Sequence, residues 1–410
     1  MTVLNEVRGM EKEKGVSLYP WFLLALVWLV NLLISWNRTL IPPLASRLIA
    51  DFGMSHAGYG AIFQAATVVT IFLSIPGGIL ADRLGAKKAV GIAVVLIACF
   101  AVLRGFTSVY WQLFVVLMCF GAVSTIVMPA LPKIVRRWFP PRHIGVATGI
   151  YYTAFAGGMT AALATTYPLF GFDWKIAFWV MGAAIFLPAV LWWLFARDSG
   201  GSQVKTSFLQ DLPMVVRNLE AWKLALVQFF TMGAVLVSIG FLPLALEKVH
   251  HIEPTMAHLV TSIFTIGGVS GNFLGALASD RLGLRKPFLW GSAILGGVFI
   301  FLLWFTAFHP FTWVFAFLAG SFPAVIMTVS STVLTEHPKI ASNLLGTTAG
   351  FIAALAGAGS FIWPVIAGGI VDATGGYSFV FMTAGVLITV VAIFSFALKE
   401  TGPRHSAYAE

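Results

Sequence analysis

The sequence predicts an all-α membrane protein with twelve transmembrane helices in two six-helix bundles. Three observations predict it. Hydrophobic residues make up 59% of the 410 and charged residues 10%, against roughly 45–50% and 25% in soluble domains. The chain divides into apolar stretches at about 20–44, 57–81, 88–106, 110–137, 143–169, 174–196, 221–247, 255–279, 287–307, 310–335, 340–370 and 377–398, each near the ~20 residues that a bilayer crossing needs at about 1.5 Å per residue. A short loop sequence also occurs twice, 198 residues apart as measured from Asp82 to Asp280, and splits the chain into equivalent halves.

Taken in order, residues 1–19 are a charged segment mixing Glu6, Glu11 and Glu13 with Arg8, Lys12 and Lys14. The apolar run after it is too long for a signal-peptide core and leads into further spans, so no cleavable leader is expected. The first bundle covers 20–196. Span 1 carries Asn31 and Arg38 and closes on Ile41-Pro42-Pro43-Leu44-Ala45, which Phe241-Leu242-Pro243-Leu244-Ala245 mirrors at the end of span 7, 200 residues on. Gln64 lies in span 2, Cys99 and Cys119 in spans 3 and 4, and Tyr151 and Tyr152 in span 5. Packing accounts for the two cysteines. A hydrophilic stretch, 197–220, links to the second bundle, 221–398, which places Gln228 in span 7 and Asn272 in span 8. The longest stretch, 340–370, is rich in glycine and holds Pro364, so a kink or tilt is expected there. Residues 399–410 form a short tail.

Lys and Arg set the orientation. With the N-terminus inside, all of the 25 basic residues except Arg38, Arg47, Arg104, Lys175 and Lys248 fall on the cytoplasmic side. Both termini are therefore expected in the cytoplasm, and the location is the cell membrane. The net charge of +9 follows from this topology and from contact with anionic lipid, so no nucleic-acid partner is needed. No CxxC, HExxH, Walker A or nucleophile-elbow pattern occurs. Enzymatic function, a metal and a cofactor are therefore not expected, and transport would run on gradients of substrate or ions.

Charge at depth points to the cargo. Ionisable groups inside a bilayer are expensive and tend to be functional. The strong cation within a span is Arg38, in Asn31-Leu32-Leu33-Ile34-Ser35-Trp36-Asn37-Arg38, and Asn31 lies seven residues earlier on the same helix face. A guanidinium without a carboxylate nearby in sequence suits a ligand carboxylate or oxyanion, which it can hold through two parallel bonds. The competing interpretation is an arginine that reaches up to the outer interface. Gln64, Tyr151, Tyr152, Gln228 and Asn272 are the polar, uncharged candidates to complete a substrate site; bonding between helices is the alternative for each. Arg104, at the end of span 3, is expected to anchor at the interface. Glu247, His250 and His251 fall in what resembles a solvated outer loop.

The repeated loop reads Gly78-Ile79-Leu80-Ala81-Asp82-Arg83-Leu84-Gly85-Ala86-Lys87-Lys88 and, in its second copy, Ala276-Leu277-Ala278-Ser279-Asp280-Arg281-Leu282-Gly283-Leu284-Arg285-Lys286. It resembles the loop 2–3 and loop 8–9 signature of the major facilitator superfamily. The resemblance implies the major facilitator fold, with a substrate site near mid-membrane between the halves. Spans 1, 2, 4, 5, 7, 8, 10 and 11 would face the cavity and spans 3, 6, 9 and 12 would brace it. Asp82, Arg83, Asp280 and Arg281 would be gating residues that hold the cytoplasmic side shut in one facing state. Ala86 stands where a basic residue is common, which leaves the first copy one charge short.

Within the superfamily, Asn37-Arg38, Gly58-Tyr59-Gly60 and Ile75-Pro76-Gly77-Gly78 resemble the anion–cation symporter group, whose span-1 arginine binds a carboxylate; Arg38 is the matching residue. Met128-Pro129-Ala130-Leu131-Pro132-Lys133-Ile134-Val135-Arg136-Arg137-Trp138-Phe139-Pro140 resembles cyanate- and nitrate-porter relatives. The implied function is secondary active transport of a small organic (carboxylate) or inorganic anion by rocker-switch alternating access, coupled to protons or a counter-anion, by a chain that works as a monomer. The rival is an exporter of drugs or other neutral solutes. Against it, Ala156-Gly157-Gly158-Met159-Thr160-Ala161 lacks the Gly-Pro pair of such exporters.

Overall fold

A computed structural model describes residues 19–139, 141–171, 173–197, 208–305, 310–338, 340 and 344–406. Those residues form helices and connections, with no strand among them. The first half contains α1 (Tyr19–Arg38), α2 (Ala45–Phe52), α3 (His56–Leu84), α4 (Ala86–Leu103), α5 (Tyr110–Trp138), α6 (Pro141–Phe170) and α7 (Trp174–Phe195). A short α8 (Phe208–Val216) precedes α9 (Leu219–Lys248), α10 (Pro254–Leu282), α11 (Lys286–Phe305), α12 (Pro310–Glu336), α13 (Leu345–Thr374) and α14 (Ser378–Ala397), and a last turn, α15, spans Pro403–Ser406. Among the described residues, eleven segments are long and apolar enough to cross a membrane. The twelfth expected crossing, at 143–169, is α6, a helix of 30 residues that is not one of those eleven.

Local sequence sets the helix ends. The Ser55 hydroxyl accepts from the Gly58 N–H at 3.1 Å, the Asp173 carboxylate from Lys175 at 2.8 Å and the Asn218 amide from Glu220 at 2.9 Å, each satisfying an orphan donor of a first turn. In the repeated loop the two equivalent glycines, Gly85 and Gly283, have φ of +80° and +66°. Both tight turns therefore need a residue without a Cβ.

The packing repeats as the sequence does. In the first half α3 packs on α5, α1 on α6 and α4 on α7; in the second, α10 packs on α12, α9 on α13 and α11 on α14. The two most extensive contacts that cross between the bundles are α3 with α13 and α6 with α10. Exchanging the halves converts one into the other, as expected for parallel half-repeats about an axis along the membrane normal. Pro364 lies inside α13, which runs unbroken through it.

Among the described residues, the bundles meet toward one end. Call the face where α1 begins and α14 ends the terminal face, and its opposite the far face. One continuous apolar core joins Leu40, Leu48, Tyr59 and Ile62 of the first half to Phe241, Leu244, Phe264 and Val371 of the second, all toward the far face. Nearer the terminal face the first half has a core of its own, around Leu24, Val27, Val94, Leu131 and Trp192. Phe72, Leu80, Ile150, Tyr152, Phe273 and Leu277, in the terminal-face parts of α3, α6 and α10, are exposed.

Candidate functional site

Span 1 is broken in the middle. The apolar segment does not end near residue 44, as the sequence reading has it, but runs from Tyr19 to Phe52. Its helix stops at Arg38, passes through a turn and a 3₁₀ turn at Pro42–Leu44, and resumes as α2. Pro42 and Pro43 cannot supply the N–H groups that would continue the α-helical ladder. Arg38 therefore sits at a break within the span rather than at its end.

Its partners confirm the depth. The Arg38 Nη2 donates to Thr67 Oγ1 at 2.6 Å, and the Thr67 hydroxyl donates to Gln64 Oε1 at 2.8 Å. Thr67 is the twelfth residue of α3, about 16 Å by helix rise from its far end and about 26 Å from its other end. No carboxylate pairs with Arg38 among the described residues. Four of its five N–H donors are therefore not spent on hydrogen bonds to the described residues. The structure brings Gln64 to Arg38, with Thr67 as a link the sequence reading missed. Thr67 follows Gln64 by three positions and so shares its helix face, which is a readable signal.

The remaining candidates lie elsewhere. Asn31, buried, donates from Nδ2 to the Tyr151 carbonyl at 3.3 Å, and Ser35, one turn on, donates to the Phe155 carbonyl at 2.6 Å. This pair ties α1 to α6, so Asn31 uses its amide in packing. Tyr151 is buried and meets Tyr152 edge-on at 5.1 Å, whereas the Tyr152 side chain is 62% exposed. Gln228 donates to Ser330 Oγ at 2.7 Å and to the Met327 carbonyl at 3.3 Å. The Asn272 Oδ1 accepts from the Thr328 hydroxyl at 2.6 Å. These three bonds join α9 or α10 to α12 within the second bundle, toward the terminal face.

Among the described residues, the loop charges are not joined across the bundles. Asp280 accepts from Arg285 at 2.6 Å, and Arg285 also grips Glu336 through two nitrogens at 2.7 and 3.0 Å. Hydrogen bonds from Glu336, and then Asp280, push the Arg285 guanidinium above its ordinary pKa. Glu400 accepts from the backbone N–H groups of Arg285 and Lys286 at 2.7 and 3.0 Å, capping α11. All these groups belong to the second half. Arg83 and Arg281 are exposed, and the side chain of Asp82 lies outside the described residues.

Two expectations are corrected. Arg104 is not an interface anchor but fully buried: its Nη1 donates to the Asn37 carbonyl at 3.1 Å, and its guanidinium lies 4.6 Å from the Phe120 ring centre and 4.9 Å from that of Phe178. It places a cation at the C-terminal carbonyls of α1, where the helix dipole favours one, and replaces water with aromatic faces. Glu247, too, is not in a solvated loop. Its side chain is 9% exposed and lies between the bundles.

Polar contacts that cross between the bundles, among the described residues, fall on the far-face side. Ser46 Oγ donates to Glu247 Oε2 at 2.6 Å, the Tyr59 hydroxyl to the Gly240 carbonyl at 2.9 Å, and the Thr160 and Thr265 hydroxyls meet at 2.9 Å. Asp372 caps α3 from the other half, accepting from the backbone N–H groups of His56 and Ala57, each at 2.9 Å, with His56 Nδ1 at 2.8 Å. Tyr377 lies 3.0 Å from His56 Nε2. Burial first, then the Glu247 and Asp372 carboxylates, push the Tyr377 phenol up to about 12, so it stays protonated and can donate to that nitrogen. An apolar groove of about 660 Å³ between α11 and α14, lined by Gly297, Phe301, Gly385 and Ile393, faces away from the bundle interface and lacks the chemistry of a polar site.

The Major Facilitator Superfamily profile matches residues 27–226 and 224–410. The chain is 26% identical over 385 residues to the probable sulfoacetate transporter SauU of Cupriavidus necator, covering 88% of this chain and 89% of that protein. It is 26% identical over 371 residues to the nitrite extrusion protein of Bacillus subtilis, covering 88% of each. Its fold is similar to that of a bacterial homologue of the human lysosomal transporter Spinster, solved in an inward-facing and unoccupied conformation. The TM-score is 0.83 at 17% identity, over 93% of this chain and 97% of that one.

Proposed function

The chain belongs to the major facilitator superfamily, and from that premise we propose that it carries a small organic or inorganic anion across the cell membrane, with Arg38 as the anion's anchor. It is a multi-pass transport protein, not an enzyme. One observation carries the assignment: a guanidinium at a helix break inside a span that, among the described residues, is held by a single neutral hydrogen bond and faced by no carboxylate. A half-buried cation at this depth without an anion carries a desolvation cost. A carboxylate, sulfonate or oxyanion ligand would offset that cost through charge-assisted bonds. Gln64 and Thr67 would orient it. Both relatives named above are named for anions, sulfoacetate and nitrite, which supports this reading over the export of neutral drugs.

The bundles are joined at the far face and apart at the terminal face. With both termini in the cytoplasm, as the distribution of Lys and Arg argues, this is the inward-facing state of an alternating-access cycle. Asp82, Arg83, Asp280 and Arg281 would engage when the cytoplasmic side closes. The driving ion would be a proton or a counter-anion, and the working unit a monomer.

Thermal unfolding of the purified protein tests the substrate class. Sulfoacetate, nitrite or a monocarboxylate at a hundredfold excess over its Kd should stabilise the protein by about 2.7 kcal/mol, while neutral sugars and hydrophobic cations should not. Stabilisation by the hydrophobic cations alone would restore the exporter reading.

A further inference from the structure

A carboxylate and an imidazole are enclosed together where the two bundles meet. Glu247, one residue from the end of α9, and His258, in the second turn of α10, approach to 3.3 Å between Oε1 and Nε2. Their side chains are 9% and 2% exposed. The separation suits an ion pair, but the angles are not those of a hydrogen bond, and His258 Nδ1 has no hydrogen-bond partner among the described residues. The first bundle closes over the pair from two sides. Ser46, in α2, donates to Glu247 Oε2 at 2.6 Å, and the Tyr167 ring of α6 lies 5.2 Å from the His258 ring.

Anion binding at Arg38 uses neither group. We propose that Glu247 and His258 form a proton-binding site whose occupancy Ser46 transmits to the opening of the far face. The ionised carboxylate accepts the Ser46 O–H, and this charge-assisted bond holds α2 of one bundle against α9 of the other. A proton from far-side solvent adds to a Glu247 oxygen. It cancels the charge, weakens the bond to Ser46 and releases the halves. Conversely, opening removes the Ser46 donor, a loss that outweighs the water it admits to the carboxylate, so the open state holds the proton more readily than the closed one. Linkage then requires acid to favour the far-open state. Proton uptake at one face would thus be tied to the same movement that exposes the anion site.

The surrounding charges are compatible with that sign. Lys248 follows Glu247 on α9, and His258 faces it from α10. Tyr59 of α3, Tyr167 of α6 and Tyr377 before α14 also lie within electrostatic reach of Glu247, and Arg47 and Glu253 flank Tyr167. The neighbouring contact of His56 with Asp372 responds oppositely, since a protonated imidazole holds a carboxylate harder. It has to be removed to see the effect of Glu247.

The inference rests on alternating access but not on the identity of the anion, so its test uses no substrate. Spin labels at Val109→Cys and Ala373→Cys, in a chain with Cys99 and Cys119 replaced by serine, report the distance between bundles at the far face. In the His56→Asn background, lowering the pH should shift the population toward the longer distance. Glu247→Gln should abolish that shift and hold the protein toward the longer distance at every pH; His258→Gln should move the midpoint. Ser46→Ala, which keeps Glu247 and its His258 neighbour in place, should reduce the pH response even if Glu247→Gln fails to insert. A distance independent of pH in the His56→Asn protein, or an unchanged pH response in Glu247→Gln or Ser46→Ala, would overturn the proposal. A failure of anion binding with this response intact would instead count against the reading of Arg38.

Discussion

Three arginines separate what a residue's identity reveals from what only its surroundings do. Arg38 is legible as a candidate site because a cation in an apolar run needs an explanation. Its depth is not, because the apolar run alone does not show that the chain pauses at Pro42 and re-enters a helix as far as Phe52. Arg104, written beside Gly105 at the end of a span, has the sequence of an interface anchor, yet it fills a pocket between Phe120 and Phe178. Those rings are far away in sequence, so nothing local announces them. Arg285 reads in sequence as a loop charge; one carboxylate partner, Asp280, lies in the same loop, but the other, Glu336, comes from the end of α12. For Arg38, the expected outcome of Arg38→Ala is loss of roughly ten- to hundredfold in anion affinity, about 1.5–3 kcal/mol for one charge-assisted contact. Arg38→Lys should restore part of it, since an ammonium cannot reproduce the planar fork. Isothermal titration with the anion that stabilises the wild type measures both. Wild-type affinity in a well-folded Arg38→Ala protein would make the arginine a structural group.

Helices depend on where their small residues fall. Along α6, Gly157 and Gly158 are adjacent, and a pair of small residues within a span is a signal of close helix packing. A methyl group at Gly158 would collide with the Leu32 carbonyl of α1, whereas one at Gly157 would meet only a Leu32 methyl at 3.5 Å, and Gly149 has open space. The pair was legible as a packing surface, but which glycine makes the contact depends on the rotation of the helix, fixed in turn by the bonds from Asn31 and Ser35 to α6 carbonyls. Gly158→Ala should therefore lower stability by roughly 1–3 kcal/mol, the usual cost of overpacking. Gly149→Ala, in an exposed helical turn, should be neutral or raise it by up to about 1 kcal/mol, because alanine loses less entropy on forming a helix. Thermal unfolding in one detergent ranks the two; the same loss for both would mean that helix propensity rather than contact decides.

At the scale of the whole molecule, the duplication explains why the architecture was readable and the closed end was not. Equal halves, matching loop copies and repeated packing follow from a sequence that says the same thing twice. Differences between the halves carry the state. The 200-residue offset sets Arg47 against Glu247, and only one of that pair is drawn into the seam, by Ser46 from the opposite half. Likewise Asp372 reaches across to cap α3, an N-terminus that already has Ser55. That arrangement makes Asp372 more useful for joining the bundles than for building the helix. Asp372→Ala should leave the fold intact, since Ser55 still caps α3, while removing two backbone bonds and the contact to His56 from the closed state alone. Losing about 1–3 kcal/mol of closed-state stabilisation should raise the open-to-closed ratio roughly five- to 150-fold. Ile62, fully buried in the seam, reports it. With Cys99 and Cys119 replaced, Ile62→Cys should react with a membrane-impermeant maleimide added at the far face faster in the Asp372→Ala protein than in its parent. Equal rates at equal expression would confine Asp372 to helix capping and leave closure of the far face to the apolar seam.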